Sequence, residues 1–86
     1  MTPLLSPVAA DIVGLIGSGL MVIAYAYSNM VAKMNFLIFN LLNLIGSLLL
    51  IMSLTVHFNM ASMALEIVWA AIALLGLVKV MRGAKA

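Results

Sequence analysis

The sequence predicts an all-α integral membrane protein, in which a bundle of three transmembrane helices forms one membrane domain over residues 1–86. Hydrophobic residues make up 67% of the chain and charged residues only 7%, against roughly 45–50% and 25% in soluble domains. Three apolar runs fill nearly all of the sequence, and each approaches the ~20 residues that a helix needs to cross a bilayer. A small soluble domain could not bury this much apolar surface, so the lipid bilayer is the expected solvent and partner.

The first helix is predicted over approximately residues 7–28. Ser6 can cap its N-terminus and Pro7 is tolerated at the first helical position, while Ser28 and Asn29 interrupt the apolar run. No lysine or arginine precedes Pro7, so the N-terminal segment lacks the basic region of a signal peptide. We therefore expect the first run to be a retained membrane span.

The second and third helices are predicted over approximately residues 34–57 and 60–81. Asn35 is a candidate cap for the second helix, and either Asn59 or Ser62 is a candidate cap for the third. The turns between the runs contain only about three to six residues, so consecutive helices must run antiparallel.

The basic residues predict the orientation of the chain in the membrane. Lys33 lies in the first turn, and Lys79, Arg82 and Lys85 lie at the C-terminal end. In a chain with three spans these two regions share one side, and the opposite side has no lysine or arginine. Because cytoplasmic loops carry the excess of Lys and Arg, we predict the N-terminus outside and the C-terminus in the cytoplasm.

Each predicted helix has one face of polar or small residues, and the rest of its surface is apolar. Polar groups are costly in hydrocarbon, so the three faces are expected to converge on a common interior away from lipid. The faces comprise Asp11, Gly14, Ser18 and Tyr25 on the first helix, Asn40, Asn43, Gly46 and Ser47 on the second, and Glu66, Trp69, Ala73 and Gly76 on the third.

Small residues on these faces favour close contact between helices, which is the expected role of Gly14, Gly46 and Gly76. The spacing Gly14-x-x-x-Ser18 also suits such a contact. The amides on the second helix have two possible roles. They can hydrogen-bond across helices, or they can bind hydroxyl or carbonyl groups of a polar solute, since a buried amide must find some partner.

The aromatic residues on the polar faces also have two possible roles. Trp69 can pack in the core or act as a stacking platform for a flat ligand or a sugar ring. Tyr25 lies near the predicted inner interface, where aromatic side chains anchor helices, but it is also on the polar face. The candidate residues for a substrate pathway are Ser18, Tyr25, Asn40, Asn43, Ser47 and Trp69.

The ionisable residues of the predicted outer half are Asp11, His57 and Glu66. Asp11 lies near a helix N-terminus, where the dipole favours negative charge. Glu66 lies deeper, where a carboxyl group must be neutral or paired, and an ionisable residue inside a membrane is a functional candidate by default. His57 is either a solvated loop residue or the one nearby group that could be cationic. The three could together form a proton-sensitive outer vestibule.

Several classes of function are not expected from this composition. The chain has no cysteine, one histidine and two acidic residues, so we predict no metal site, no catalytic residues, no cofactor and no enzymatic activity. The net charge of +2 rests on four basic residues and does not predict nucleic-acid binding.

The sequence resembles the SemiSWEET and PQ-loop superfamily, and most closely an uncharacterised bacterial branch of short three-span proteins. The segments that carry the resemblance are IGS at 16–18, AYA at 24–26, FNLLNLIG at 39–46, FN at 58–59 and LEIVWA at 65–70. SemiSWEETs are half-transporters, in which two three-helix bundles form a parallel homodimer with a central sugar pathway. The resemblance therefore implies a SemiSWEET-like dimer in a bacterial inner membrane, with Asn40, Asn43 and Trp69 lining a pathway and alternating access by rocking of the halves.

One motif of that superfamily is absent. Sugar transporters of this kind carry Pro-Gln as a hinge near the cytoplasmic end of the first helix, where this chain has AYAYS at 24–28. Neither the same hinge nor sugar as the substrate is therefore implied. The predicted function is half of a transporter for a small polar solute, acting as a homodimer. The alternative is a non-transporting accessory or scaffold protein that docks on a larger membrane complex.

Overall fold

A computed structural model describes residues 5–83 as three α-helices joined by two short turns. They are α1 (Pro7–Met30), α2 (Phe36–Leu54) and α3 (Met60–Met81), and each is long and apolar enough to cross a membrane. The predicted all-helical fold with three candidate spans is confirmed. Lys85, which contributed to the predicted orientation, and residues 1–4 of the N-terminal arm lie outside the described residues.

The N-termini of the helices are capped by the side chains that the sequence indicates. Ser6, Asn35 and Asn59 each accept hydrogen bonds from backbone N–H groups of the following turn, at distances between 3.0 and 3.3 Å. These bonds satisfy donors that have no partner inside the helix. Ser62 supplies one of those donors, which places it inside the first turn of α3 and leaves Asn59 as the cap.

The observed helix ends differ from the predicted ones by a few residues. α1 continues to Met30, two residues beyond the predicted end. α2 begins at Phe36 because Asn35 takes the capping position. It ends at Leu54, three residues early, where the Thr55 hydroxyl bonds back to the Met52 carbonyl at 2.6 Å. α3 has the predicted bounds, and Gly83 beyond it has a positive φ of 78°, a conformation that glycine adopts readily after a helix.

α2 lies in the middle of the fold. α1 and α3 both pack against it, but within residues 5–83 they do not pack against each other. A trough therefore remains open between α1 and α3, with α2 as its floor. The expectation that all three polar faces converge on one shared interior is wrong for α1, because the buried face of α1 turns toward α2 alone.

Glycine residues set the distance between α1 and α2. Gly17 and Gly46 face each other so closely that a Cβ atom on Gly17 would lie 2.7 Å from the Gly46 carbonyl oxygen. Gly14 packs against Ser53 in the same contact. Gly14 makes the predicted contact with another helix, but the expectation that Ser18 joins it is wrong, since Ser18 is exposed and Gly17 takes the contact. One residue turns a helix by about 100°, which is enough to move a side chain off the packed face.

Candidate functional site

The trough between α1 and α3 is a concave surface of the described chain. It contains a pocket of about 310 Å³ lined by all three helices, and a second pocket of about 260 Å³, lined by α2 and α3, adjoins it. Phe39, Asn43 and Trp69 line both pockets, Met21, Val22 and Tyr25 line only the first, and Asn40, Ile72 and Ala73 line only the second. The lining is apolar apart from two amides, an indole N–H and a phenol.

A direct hydrogen bond joins the floor of the trough to its α3 wall. Trp69 Nε1–H donates to Asn43 Oδ1 at 2.9 Å, and the Asn43 amide nitrogen donates to the Phe39 carbonyl of its own helix at 2.9 Å. The Trp69 side chain is not a core residue, because 42% of its surface is exposed. The hydrogen bond therefore orients an indole ring that remains open to the trough.

Asn40 lies one helical turn before Asn43 on α2, closer to the loop that joins α1 to α2. Its amide nitrogen donates to the Phe36 carbonyl at 2.8 Å, and its side chain packs against Gly76. A Cβ atom on Gly76 would lie 2.5 Å from Asn40 Oδ1, so a larger residue at position 76 requires the Asn40 side chain to shift. Both asparagines are buried, and both satisfy an amide N–H within α2.

Ser47 and Glu66 form a third pair between α2 and α3. Ser47 is fully buried and Glu66 is 8% exposed. The Glu66 carboxyl group lies beside Ser47, and Glu66 Oε1 has no partner within the described residues. The Ser47 hydroxyl also lies 4.0 Å from Met21 Sδ.

These contacts form a polar ladder along the antiparallel pair of helices. The polar ladder consists of Asn40 with Gly76, Asn43 with Trp69, and Ser47 with Glu66. The two steps of the ladder move three and four residues up α2, and seven and three residues down α3. The sequence grouped these residues correctly by helix face but did not indicate which residue meets which.

The polar residues of α1 lie on a different surface. Tyr25 is 71% exposed and lines the trough. Ser18 and Asp11 are exposed as well and recur at steps of seven residues, which is nearly two helical turns. They therefore share the face of Tyr25, beside the trough, and they do not touch the asparagines of α2.

A histidine–carboxylate contact lies at the end of the bundle where α1 begins and α2 ends. His57 Nε2 lies 3.0 Å from Asp11 Oδ1 and 3.2 Å from the Pro7 carbonyl oxygen. Both neighbours are acceptors, and a ring nitrogen that carries a hydrogen can donate to either of them. The structure thus brings together two of the three predicted ionisable candidates, and Glu66 takes no part in the contact.

Sequence reasoning missed three residues that shape the site. Phe39 lies on the floor of the trough, four residues before Asn43, and this helical spacing could have identified it. Met21 lies on the α1 wall, one turn before Tyr25. Gly17 entered the sequence-based prediction only as part of the segment at 16–18, although its spacing from Gly14 places both on one helix face.

Comparison with known proteins adds one finding. No curated protein and no solved structure matches the chain. A model of an uncharacterised protein family matches residues 10–85. Since this match extends over nearly the whole chain, the protein belongs to that family.

Proposed function

We propose that the protein is half of a homodimeric transporter for small, neutral, polar solutes, in a bacterial inner membrane. The observation that carries this proposal is the trough, which places Tyr25, Asn43 and Trp69 on one open side of a chain made of membrane-spanning helices. Three helices in this arrangement enclose no pathway alone. Two troughs that face each other would enclose one.

The polarity of the open side supports a second copy as its cover. Tyr25 lines the trough from α1 and is 71% exposed, and the half-exposed indole of Trp69 lines it from α3. Polar groups that face lipid tails are costly. A second copy, with water and solute between the two, gives these groups partners that lipid does not.

The size and chemistry of the trough support the proposed solute class. Pockets of about 310 Å³ and 260 Å³ lie at or below the lower end of the ~300–1,000 Å³ typical of ligand sites, so two facing copies would provide room for a small molecule. No charged side chain lines either pocket, which favours a neutral solute. Aromatic ring faces, amides and a phenol suit one that carries hydroxyl or carbonyl groups.

The resemblance to SemiSWEET proteins supports a parallel dimer. Lys33 in the first turn, Lys79 in the last turn of α3 and Arg82 just after α3 lie at the same end of the antiparallel helices. We place that end in the cytoplasm, by the positive-inside rule, and a parallel dimer keeps both basic ends there. α1 runs unbroken through residues 24–28, so in this proposal the movement between the two halves involves no hinge inside α1.

A second candidate function is an accessory subunit whose trough binds a helix of a larger membrane complex. The apolar lining of the trough favours this role. So do the hydrogen bonds of the Asn43 side chain, which are made within the chain and need no solute. In that case the trough is filled by a partner's side chains and carries no solute.

Native mass spectrometry from mild detergent is the first test, because it reads the oligomeric state and retained ligands together. A homodimer is expected for a half-transporter. A monomer, or a stoichiometric complex with a different protein, would contradict it and favour the accessory role.

Flux is then measured by osmotic swelling of proteoliposomes in a series of neutral polyols, sugars and amides, so that the substrate need not be identified beforehand. We expect swelling above that of protein-free liposomes, and its loss in Asn43→Leu. Ile45→Ala is the matched control, because Ile45 is on the same helix but is 46% exposed on the side away from the trough. Equal flux in both variants would remove the trough from the pathway.

A further inference from the structure

Glu66 is the one buried acidic residue of the described chain. Its side chain is more than nine-tenths buried in the contact between α2 and α3, in the half of α3 that lies farther from the basic end. Ser47 lies beside the carboxyl group, and Oε1 has no partner in residues 5–83. An anion normally collects several donors when it is buried, and at least one oxygen of this carboxyl group has none.

Within residues 5–83, no positively charged side chain lies close enough to compensate the group. α3 packs only against α2, and α2 contains no titratable residue along its whole length. Lys79, on the same helix, lies thirteen residues away, or about 20 Å at 1.5 Å per residue. The other titratable side chains of the described chain are Asp11, Tyr25, Tyr27, Lys33, His57 and Arg82, and the histidine is paired with Asp11.

The geometry suits a carboxylic acid better than a carboxylate. A neutral acid has one O–H to donate and keeps a carbonyl oxygen that tolerates a missing partner far better than an anionic oxygen does. Removal of the proton would leave an unpaired charge between two helices in lipid. That charge would be relieved only by water, which can enter only if α2 and α3 move apart.

We propose that Glu66 is an intramembrane proton-binding site, loaded while α2 and α3 pack along the polar ladder and emptied when their contact admits water. The ligand is a single proton, taken up by the carboxylate and returned to water on release. Proton binding stands without the proposed transport. A coupling of proton release to solute movement rests on the proposed function.

Infrared spectroscopy tests the loading directly. The chain has one glutamate and one aspartate, so ¹³C-labelled glutamate shifts the carbonyl band of Glu66 alone. The protein is measured in vesicles of diether lipids, which have no ester carbonyl to overlap that band. We expect a protonated-acid band at neutral pH that moves on labelling, persists in Asp11→Asn and is absent from Glu66→Gln. A labelled protein with only a carboxylate band at neutral pH would overturn the proposal, even if Glu66→Gln failed to fold.

The fluorescence of Trp69 reports whether the α2–α3 contact opens when Glu66 loses its proton. Trp69 is the only tryptophan and lies one turn from Glu66 on α3. We expect its fluorescence to shift to longer wavelength at the alkaline pH where the acid band disappears. Glu66→Gln, which keeps the shape of the protonated side chain, should not show this shift. Constant emission while the acid band disappears would refute the opening of the contact. If the wild-type protein shows no solute flux but does show the protonated-acid band of Glu66, transport is refuted and the proton-binding site is retained.

Discussion

α2 meets α1 through glycines and meets α3 through polar side chains. At Gly17 and Gly46 the two backbones are so close that a methyl group has no space. Along the polar ladder the contact is made by the ends of side chains, such as the Asn43–Trp69 hydrogen bond of 2.9 Å. Backbone atoms cannot move aside and side-chain ends can, so the α1–α2 pair should behave as a rigid unit and α3 as the part that moves against it.

The largest loss of stability is expected from a substitution in the close α1–α2 contact. Gly17→Ala places a methyl group 2.7 Å from the Gly46 carbonyl oxygen and 3.1 Å from the Leu50 nitrogen. Overpacking of this kind costs about 1–3 kcal/mol, so the variant should be destabilised by that amount in an SDS-titration unfolding experiment. Gly19→Ala is the matched control, because nothing lies within 4 Å of its Cβ position. Equal stability of the two variants would contradict the close α1–α2 contact.

A smaller effect is expected from a methyl group on the α3 side. Gly76→Ala would meet only the Asn40 side chain, with its nearest atom at 2.5 Å, and that side chain can shift. We expect a loss near the lower end of the overpacking range, about 1 kcal/mol. The loss should disappear in an Asn40→Ala background, measured by the same unfolding experiment. A loss that persists there would mean that the backbones, and not the side chains, are in contact.

A double-mutant cycle sharpens the comparison further, because it isolates one step of the polar ladder. Asn43→Ala and Trp69→Phe should couple by about 0.6 kcal/mol, the average for hydrogen bonds between membrane helices. Unfolding of the two single variants and the double variant is followed by circular dichroism, since the double variant lacks the tryptophan. Additive losses would show that the hydrogen bond contributes no net stability.

The smallest effect is expected at the exposed end of the α1–α2 pair. The His57 and Asp11 side chains are 45% and 66% exposed, and exposed ion pairs contribute roughly 0.2–1 kcal/mol. His57→Ala should lie at the low end of that range, and its effect should shrink further in high salt because of screening. Its stability relative to wild type is compared at low and high salt, and a large, salt-independent loss would assign His57 a packing role.

The sequence predicted those features that depend on neighbours along the chain. Ser6, Asn35 and Asn59 cap the helices because the N–H groups that they bind are two or three residues away. Pairings across helices depend on depth and rotation, which periodicity leaves open. Helical periodicity places Asn43 on the same face as Asn40, and Trp69 on the same face as Glu66. The hydrogen bond between Asn43 and Trp69 depends on how the two helices pack, which periodicity does not determine.

The same reason explains the error on α1. Asp11, Ser18 and Tyr25 recur regularly, and polarity alone suggested that they face the other helices. Packing instead selected the smallest residues, because they allow the closest backbone approach. Gly14 and Gly17 therefore took the buried face and the polar residues were left beside the trough. The free-energy cost of exposure to lipid depends on the polarity of a residue, whereas the distance at which two helices can pack depends on its size.

The asparagines of α2 also bear on how the chain enters the membrane during synthesis. α1 and α2 emerge from the ribosome before α3, so Asn40 and Asn43 must leave the translocon before Gly76 and Trp69 are present to cover them. Each amide donates one N–H to a carbonyl of its own helix, Phe36 or Phe39, so part of its hydrogen-bonding demand is met without any neighbour. In the nascent α1–α2 hairpin, the second N–H and the oxygen of each amide remain without a partner in lipid until the third helix arrives.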